Sequence, residues 1–419
     1  MILIATIFGL LLLGAAAVQL SIATKFQKHF DTLKPTSMPL SEQQPAVVVI
    51  CVRGCDPSLE SCLVGVLNQT YANYRVQMIV DHQSDQAWDF AQNIKSKHDG
   101  RNILSIAEMQ NPPDTCSLKC SGIVQAIRSI DEQTTTYVAF LDADVTPHPD
   151  WLAELTGPLL NPEIGGVTGN QWFEPDSSRL GSLLRSTWNA GALVPTIFFA
   201  NPWAGSFAMR LRDILDSGLE EIWCQSIVDD GPIKQAITDI GMRVEFAPSL
   251  IMINRESCTL RFTNRWVTRM LTWSRLYEST FYLSIIHALF SNGVMLANFA
   301  VLLLAVLSGS ISTGLIAATA LIASGWMCAQ SYELTRECAM KSCELRGQTL
   351  APLKGSRFLS VLATVAMTHL VFGLSCAEAI IAREISWREI TYELKSGNRI
   401  KRLDYAPYLP KSSRSDVSI

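Results

Sequence analysis

The stretch "YVAFLDADVTPHPDWL", residues 137–152, decides how the chain is read. An apolar run, Val138 to Leu141, ends in two aspartates one residue apart, Asp142 and Asp144. Pro147 and Pro149 then stop any regular element. A continuous apolar run is what a strand buried on both faces requires. Asp-X-Asp is common in surface turns, but at the end of a buried-type strand it reads equally as a ligand site. Asp-X-Asp offers hard oxygen ligands to a divalent metal, Mg²⁺ or Mn²⁺. A metal so held can bridge a diphosphate and neutralise charge on a leaving group.

The same pattern recurs upstream. "AVVVICV" (46–52) is a β-branched run, and "RVQMIVD" (75–81) is a second strand that also ends in an aspartate, Asp81. "NILSIAE" (102–108) reads as a third strand and residues 137–144 as a fourth. Between the first two lies "DPSLESCLVGVLNQ", with Leu59, Leu63, Val66 and Leu67 at helical spacing, Asp56 as N-cap and Pro57 at the first helical position. Strands alternating with helices predict an α/β domain over 45–258 with a mostly parallel sheet and ligands at the strands' carboxyl ends.

Outside that domain the composition changes. Residues 2–24 carry no charge and are long enough to cross a hydrocarbon core, so residues 1–24 are read as a transmembrane helix. Lys25 and Lys28 follow it, which predicts that the next domain faces the cytoplasm. Residues 281–382 hold about three more spans, and the loop 331–357 between the last two carries Arg336, Lys341, Arg346, Lys354 and Arg357. Three C-terminal spans would put the tail, 383–419, on the far side, yet residues 383–402 hold six Lys and Arg. Either one segment is re-entrant or the tail breaks the charge rule.

With 17% charged residues and a net charge of −4, the chain has no nucleic-acid footprint. Its eleven cysteines include no CxxC pair and no zinc-finger spacing, as expected of reduced thiols in a cytosol-facing domain.

Three further motifs carry chemistry. In "EEIWCQSIVDDGPIKQAITDIG" (220–241), Asp229 and Asp230 precede a helix that Gly241 can end. A capping carboxylate has a fixed direction, as a general base requires. The helix N-terminus favours its ionised form, and Gly231 leaves room beside it. In "NPWAGSFAMR" (201–210), Trp203 gives an apolar face beside Gly205, where backbone can approach a ligand. In "LRFTNRWVTRMLTWSRLY" (260–277), Arg265 and Arg269 share one helical face, while Trp266, Met270, Trp273 and Tyr277 share another. That segment, placed within 259–280, reads either as an interfacial helix with snorkelling arginines or as an Arg/Trp cover over a diphosphate-sugar.

These motifs in this order resemble the family 2 inverting glycosyltransferases, specifically the ceramide glucosyltransferase-like branch. The resemblance covers about residues 1–385 and is carried by "VRGCDPSLESCLVGVLNQTY", "VDHQSDQA", "SLKCSGIVQAI", "VAFLDADVTPHPDWL" and "WAGSFAMR". It implies a GT-A domain (the nucleotide-diphospho-sugar transferase fold) with an N-terminal span and a C-terminal membrane cluster. It implies donor contacts from Asp81 or Asp85, Lys119, Asp142, Arg265, Arg269 and Trp266. Asp144, with Asp142, would bind the metal and Asp230 would be the catalytic base. Trp203, Gly205, Asp229 and Trp273 would lie on the acceptor side. The family's final motif, (Gln/Arg)-X-X-Arg-Trp, is altered here. Ending it at Arg265-Trp266 puts Phe262 first, and running it from Arg269 to Trp273 puts Thr272 in place of the second arginine.

The function so implied is inverting transfer of a hexose from a UDP-sugar to a lipid hydroxyl at a membrane, with glucosylceramide-type glycolipid synthesis as the instance that the resemblance suggests. The alternatives are a processive polysaccharide synthase and, in another class, an inactive membrane protein that only binds a nucleotide-sugar.

Overall fold

The computed structural model describes residues 1–175, 179–350 and 355–408. Seven strands build the main sheet: β1 Ala46–Val52, β2 Tyr74–Val80, β3 Leu104–Glu108, β4 Tyr137–Leu141, β5 Ile164–Phe173, β6 Ser206–Arg210 and β7 Arg243–Asn254. Their order is β3-β2-β1-β4-β6-β5-β7. All neighbours run parallel except β6, which is antiparallel to both β4 and β5. The mostly parallel sheet expected from sequence is therefore present. After β1 the chain goes first to β2 on one side and later to β4 on the other. That reversal opens a crevice at the strands' carboxyl ends. Asp81 and Asp142 are the residues immediately after β2 and β4.

Nine helices accompany this sheet: α1 Ile2–Phe30, α2 Leu59–Leu67, α3 Gln86–His98, α4 Leu118–Arg128, α5 Trp151–Thr156, α6 Leu180–Phe198, α7 Leu211–Asp216, α8 Leu219–Trp223 and α9 Ile233–Asp239. One face of the sheet packs Val48, Ile50, Met78 and Ala139 against Leu59, Leu63, Ala91 and Trp151. The other packs Val47, Val49, Phe140 and Phe207 against Ile123, Ile127, Trp223 and Ile237. One detail of the reading is corrected. The helix expected to open at Asp56-Pro57 opens at Leu59 with Ser58 before it. Asp56 cannot cap it through its side chain, because that carboxylate is held by Arg388 at 2.6 and 2.8 Å.

Four further helices follow: α10 Leu260–Tyr277, α11 Phe281–Leu307, α12 Ile311–Leu345 and α13 Gly355–Ile381. Among the described residues, four helices are long and apolar enough to cross a membrane: Ile2–Phe30, Phe281–Leu307, Ile311–Leu345 and Phe358–Ile381. The segment 331–345, read from sequence as part of a loop, is instead the end of α12. It stays helical because it docks on the domain. Arg336 forms a buried ion pair with Glu174, and the Ser342 hydroxyl accepts from the Ile251 amide. Arg346, just past the helix, donates to the carbonyls of Ser249 and Ile251. Lys354 lies outside the described residues.

α13 differs from the other apolar helices. Its contacts with α11 lie between Phe281 and Met295: Phe372 meets His287, Gly373 meets Asn292, and Cys376 and Ala379 pack with Phe281 and Ala288. The other half of α11 faces α1 and α12 instead, through Val301, Ala5 and Ala317. α13 follows a segment tied to β7 by Arg346. Its end is held by Arg275 of α10, which donates to the carbonyls of Ile380 and Ala382. Both ends therefore lie on the domain side.

Beyond α13 the chain returns to the domain as a small antiparallel sheet, β8 Glu384–Trp387, β9 Ile390–Leu394 and β10 Ile400–Arg402. Ile385, Ile390, Tyr392 and Ile400 enter the same core as Val47, Ile123 and Phe140. The Arg402 amide donates to the Asp114 carbonyl, and the Leu118 amide donates to the Tyr392 hydroxyl.

Candidate active site

The carboxyl edge of the sheet gathers most of the residues that the motifs nominate. Asp142 follows β4, and its amide donates to the Gly205 carbonyl. Lys119, in the first turn of α4, reaches across with its ammonium 2.5 Å from Asp142 Oδ1 and 2.9 Å from Asp229 Oδ2. Burial opposes the charge on Lys119, but Asp142 and Asp229 outweigh it and raise its pKa well above the ordinary lysine value. One half-buried cation thus joins the Asp-X-Asp loop to the loop before α9. Lys119 bridges these two carboxylates at the mouth of the site.

Asp229 is buried, accepts this ammonium, and offers its carbonyl to the Trp223 indole at 2.8 Å. Asp230 beside it is only half-buried. Its carboxyl is pushed up to about 8, by burial first and then by Asp229. This corrects the expectation that the following helix keeps it ionised. α9 begins only at Ile233, and burial beside a second carboxylate outweighs its amides. The room expected beside Gly231 is also taken. A side chain there would meet the Tyr277 ring at 2.7 Å, and the Tyr277 hydroxyl accepts from the Ile227 amide.

Asp144 accepts at 3.2 Å from both Gln171 of β5 and Asn254 of β7. Its carboxyl is pushed up to about 7, by burial first and then by the charges of Asp142, Glu256 and Asp56. Among the described residues, no group of three or more His, Cys, Asp or Glu side chains is arranged as a metal cage. The donor set nevertheless fits a hard cation. Mg²⁺-type sites use one or two carboxylates and take their remaining ligands from water and substrate phosphate. A half-buried carboxylate crowded by three others is stabilised by such a charge.

Gly205 closes the site from β6. A Cβ there would strike the Trp203 ring and stand 2.7 Å from Asp142 Oδ2, so only glycine lets the indole lie beside the carboxylate. At the carboxyl ends of β1 and β2, Arg53 forms a buried ion pair with Asp81. Asp85 caps α3 through the Ala87 amide and accepts from the Gly54 amide at 2.7 Å, so both carboxylates expected to contact the donor are engaged within this loop.

The arginine helix divides into two sides. Trp266 is buried, edge-on to Phe173 at 5.1 Å and Trp188 at 5.2 Å, so its place is core packing, away from the sugar face expected of it. Arg265 is exposed. Arg269 is buried over the Trp273 ring at 5.3 Å, and burial pushes its pKa down to about 9, with the nearby charges of Arg388 and Arg265 adding to the effect. The frame from Arg269 to Trp273 is the one that faces the site, with the Trp273 indole nitrogen buried and lacking a hydrogen-bond partner among the described residues.

Sequence reading overlooked Arg53, Gln171, Asn254 and Arg388, and took Asp56 only as a helix cap. Arg53 lies inside a quoted motif. The other three lie at strand ends or in the tail, where only the pairing of distant elements brings them in.

The Glycosyl transferase family 21 model matches residues 6–400. The chain belongs to that family. The motifs alone had suggested family 2, and a ceramide glucosyltransferase-like branch is consistent with family 21. Glycosyltransferase AglE of Haloferax volcanii is 27% identical over 128 residues, which are 30% of this chain and 39% of that protein. The fold is similar to that of the mannosyltransferase PcManGT from Pyrobaculum calidifontis, solved with GDP-Man and Mn²⁺. The TM-score is 0.51 at 16% identity, over 80% of this chain and 98% of that one. Glucosyl-3-phosphoglycerate synthase from Mycobacterium tuberculosis, solved with Mn²⁺ and UDP, aligns with 58% of this chain and 86% of its own at a TM-score of 0.38 and 14% identity. The protein is thus a GT-A-like glycosyltransferase with apolar helices at both ends of its catalytic domain.

Proposed function

We propose that this family 21 protein is a metal-dependent inverting transferase that moves a hexose from a UDP-sugar to a lipid hydroxyl at the cytoplasmic face of a membrane. The observation that carries the reading is the cluster at the sheet edge: Asp142, Lys119 and Asp229 joined in one chain of ion pairs, with Asp144 and Asp230 beside it. A lipid acceptor is supported by the apolar helices α11 to α13 and by the amphipathic α10, which adjoins this edge through Tyr277. Glucose and ceramide are the first pair to test, because the motif resemblance implies them. GDP-mannose belongs in the same panel, since PcManGT was solved with it.

In this mechanism Asp230 is the base. It takes the proton of the lipid hydroxyl while that oxygen bonds to the anomeric carbon. The bond from that carbon to the diphosphate oxygen breaks on the opposite face, which inverts the centre. A carboxyl whose pKa lies near the working pH is a stronger base than an ordinary aspartate and is still ionised often enough to act. Lys119 keeps Asp142 and Asp229 in place during the exchange. A divalent cation held by Asp144, with Asp142 nearby, would neutralise the departing nucleoside diphosphate. Arg269 supplies a further positive charge from the helix side.

The cytoplasmic orientation is supported by Lys25 and Lys28 after α1. The tail agrees with it if α13 lies along or re-enters the membrane without crossing it. The test is a transfer assay with membranes holding the protein, a panel of labelled UDP-sugars and GDP-mannose, and extracted lipids. Label should move into the organic phase with the β configuration from an α-linked donor. Label that stays water-soluble with every donor, or a retained configuration, would refute the proposal.

A further inference from the structure

The hairpin between β8 and β9 turns through Arg388 and Glu389, with φ of 49° and 65°. Two-residue hairpin turns of this hand prefer Asn, Asp or Gly. A left-handed arginine is disfavoured and persists where its surroundings fix it. Here they do. The turn is held from below, where Arg53 Nε donates to the Arg388 carbonyl at 2.9 Å. The Arg388 guanidinium is directed inward, with Nη2 on both oxygens of Asp56. Its Nη1 is buried and lacks a hydrogen-bond partner among the described residues.

The destination of that side chain is the catalytic edge. The Asp56 loop lies against the Asp-X-Asp loop: Ser58 Oγ reaches the Ala143 carbonyl at 3.4 Å, and Ser61 Oγ lies 2.9 Å from Thr146 Oγ1. Arg388 feels the charge of Asp144, and Arg269 feels the charge of Arg388. Asp56 holds the Arg388 guanidinium through Nη2 alone, which leaves the buried Nη1 to take a second acceptor beside the Asp-X-Asp loop. A diphosphate is the anion that the neighbouring site implies, and a guanidinium suits it because its donors form a planar fork.

We propose that Arg388, delivered from the C-terminal hairpin, is a donor-binding residue whose free Nη1 takes a diphosphate oxygen of the nucleotide-sugar opposite Arg269. The assignment rests on the transferase reading above and deepens it. It gives the C-terminal sheet a purpose in the reaction, and the family match, which runs to residue 400, spans this hairpin. It also supplies a second arginine where Thr272 leaves the helix motif without one.

The competing role for Arg388 is to neutralise Asp56. Three full-length variants separate the two: Arg388→Gln, Asp56→Asn and the double variant. Each is tested for binding of UDP, GDP and uridine with Mn²⁺ by calorimetry, and its melting temperature gives a folding control. In the wild type, UDP or GDP should bind. Arg388→Gln should weaken the nucleoside diphosphate about ten- to a hundredfold, the range for losing one charged hydrogen bond, and leave uridine unchanged. The double variant should regain melting temperature but not diphosphate affinity. Asp56→Asn alone should weaken the diphosphate less than Arg388→Gln does, since asparagine still accepts from Nη2. Restored diphosphate affinity in the double variant, or an unchanged one in Arg388→Gln, would overturn the assignment and leave the transferase reading standing. A wild-type protein that binds neither diphosphate would overturn both.

Discussion

At the scale of single residues, the two adjacent aspartates have unlike environments and therefore unlike expected phenotypes. Asp229 is committed to Lys119, whereas Asp230 is half-exposed with its carboxyl near 8. Asp230→Asn should keep nucleotide binding and lose transfer by about 10²–10⁴-fold, the usual worth of a general base. Asp229→Asn should retain measurable transfer at reduced protein stability. The reverse ranking in initial-rate assays would make Asp229 the base. Asp144 gives a pH test with a definite sign. Its folded pKa of about 7 is raised above the ordinary aspartate value, so without metal its contribution turns unfavourable as pH rises from about 4 toward 7. A bound cation needs the carboxylate, so Mn²⁺ affinity should fall about tenfold for each pH unit below 7. Calorimetric titrations at pH 6 and 8 check this, and a pH-independent affinity would remove Asp144 from the metal site. Gly205→Ala should cost about 1–3 kcal/mol in melting experiments through the clash with Trp203, and should weaken donor binding by displacing Asp142.

At the scale of elements, α13 and the small sheet after it decide the topology. The sheet is part of the domain core, so it lies on the domain's side of any membrane. A protease site at Ser396–Asn398 should be cut in sealed vesicles from the same side as one at Lys97. A site in the link 308–310 should be cut from the opposite side. Cleavage at 396–398 together with the link would mean that α13 crosses after all. How far these elements could be read beforehand follows from what sets each one. The strands and their terminal aspartates were legible because burial on both faces forces an unbroken apolar run. The four apolar helices were legible from length and composition. That α13 returns was signalled only as a conflict, six basic residues on the wrong side, because hydropathy reports apolarity and not depth. Residues 331–345 were misread as loop because charge suggested solvent, whereas Arg336 is paired with buried Glu174. Arg388 gave no local signal, since its partner Asp56 is 332 residues away.

At the scale of the whole molecule, the sheet edge, the arginine helix and the tail meet around one acidic crevice beside apolar helices. A water-soluble donor would enter from the domain side and a lipid hydroxyl from the helix side, with Asp230 between them. The most direct measurement of this account is nucleoside diphosphate release by the purified full-length protein in lipid vesicles. It uses Mn²⁺ and the donor panel, with and without acceptor lipid, in wild type and in Asp230→Asn. The account predicts release that depends on the acceptor lipid, stops when EDTA removes the metal, and is lost in Asp230→Asn at matched protein levels. Acceptor-dependent release that persists undiminished in Asp230→Asn, or no such release from any donor, would contradict it.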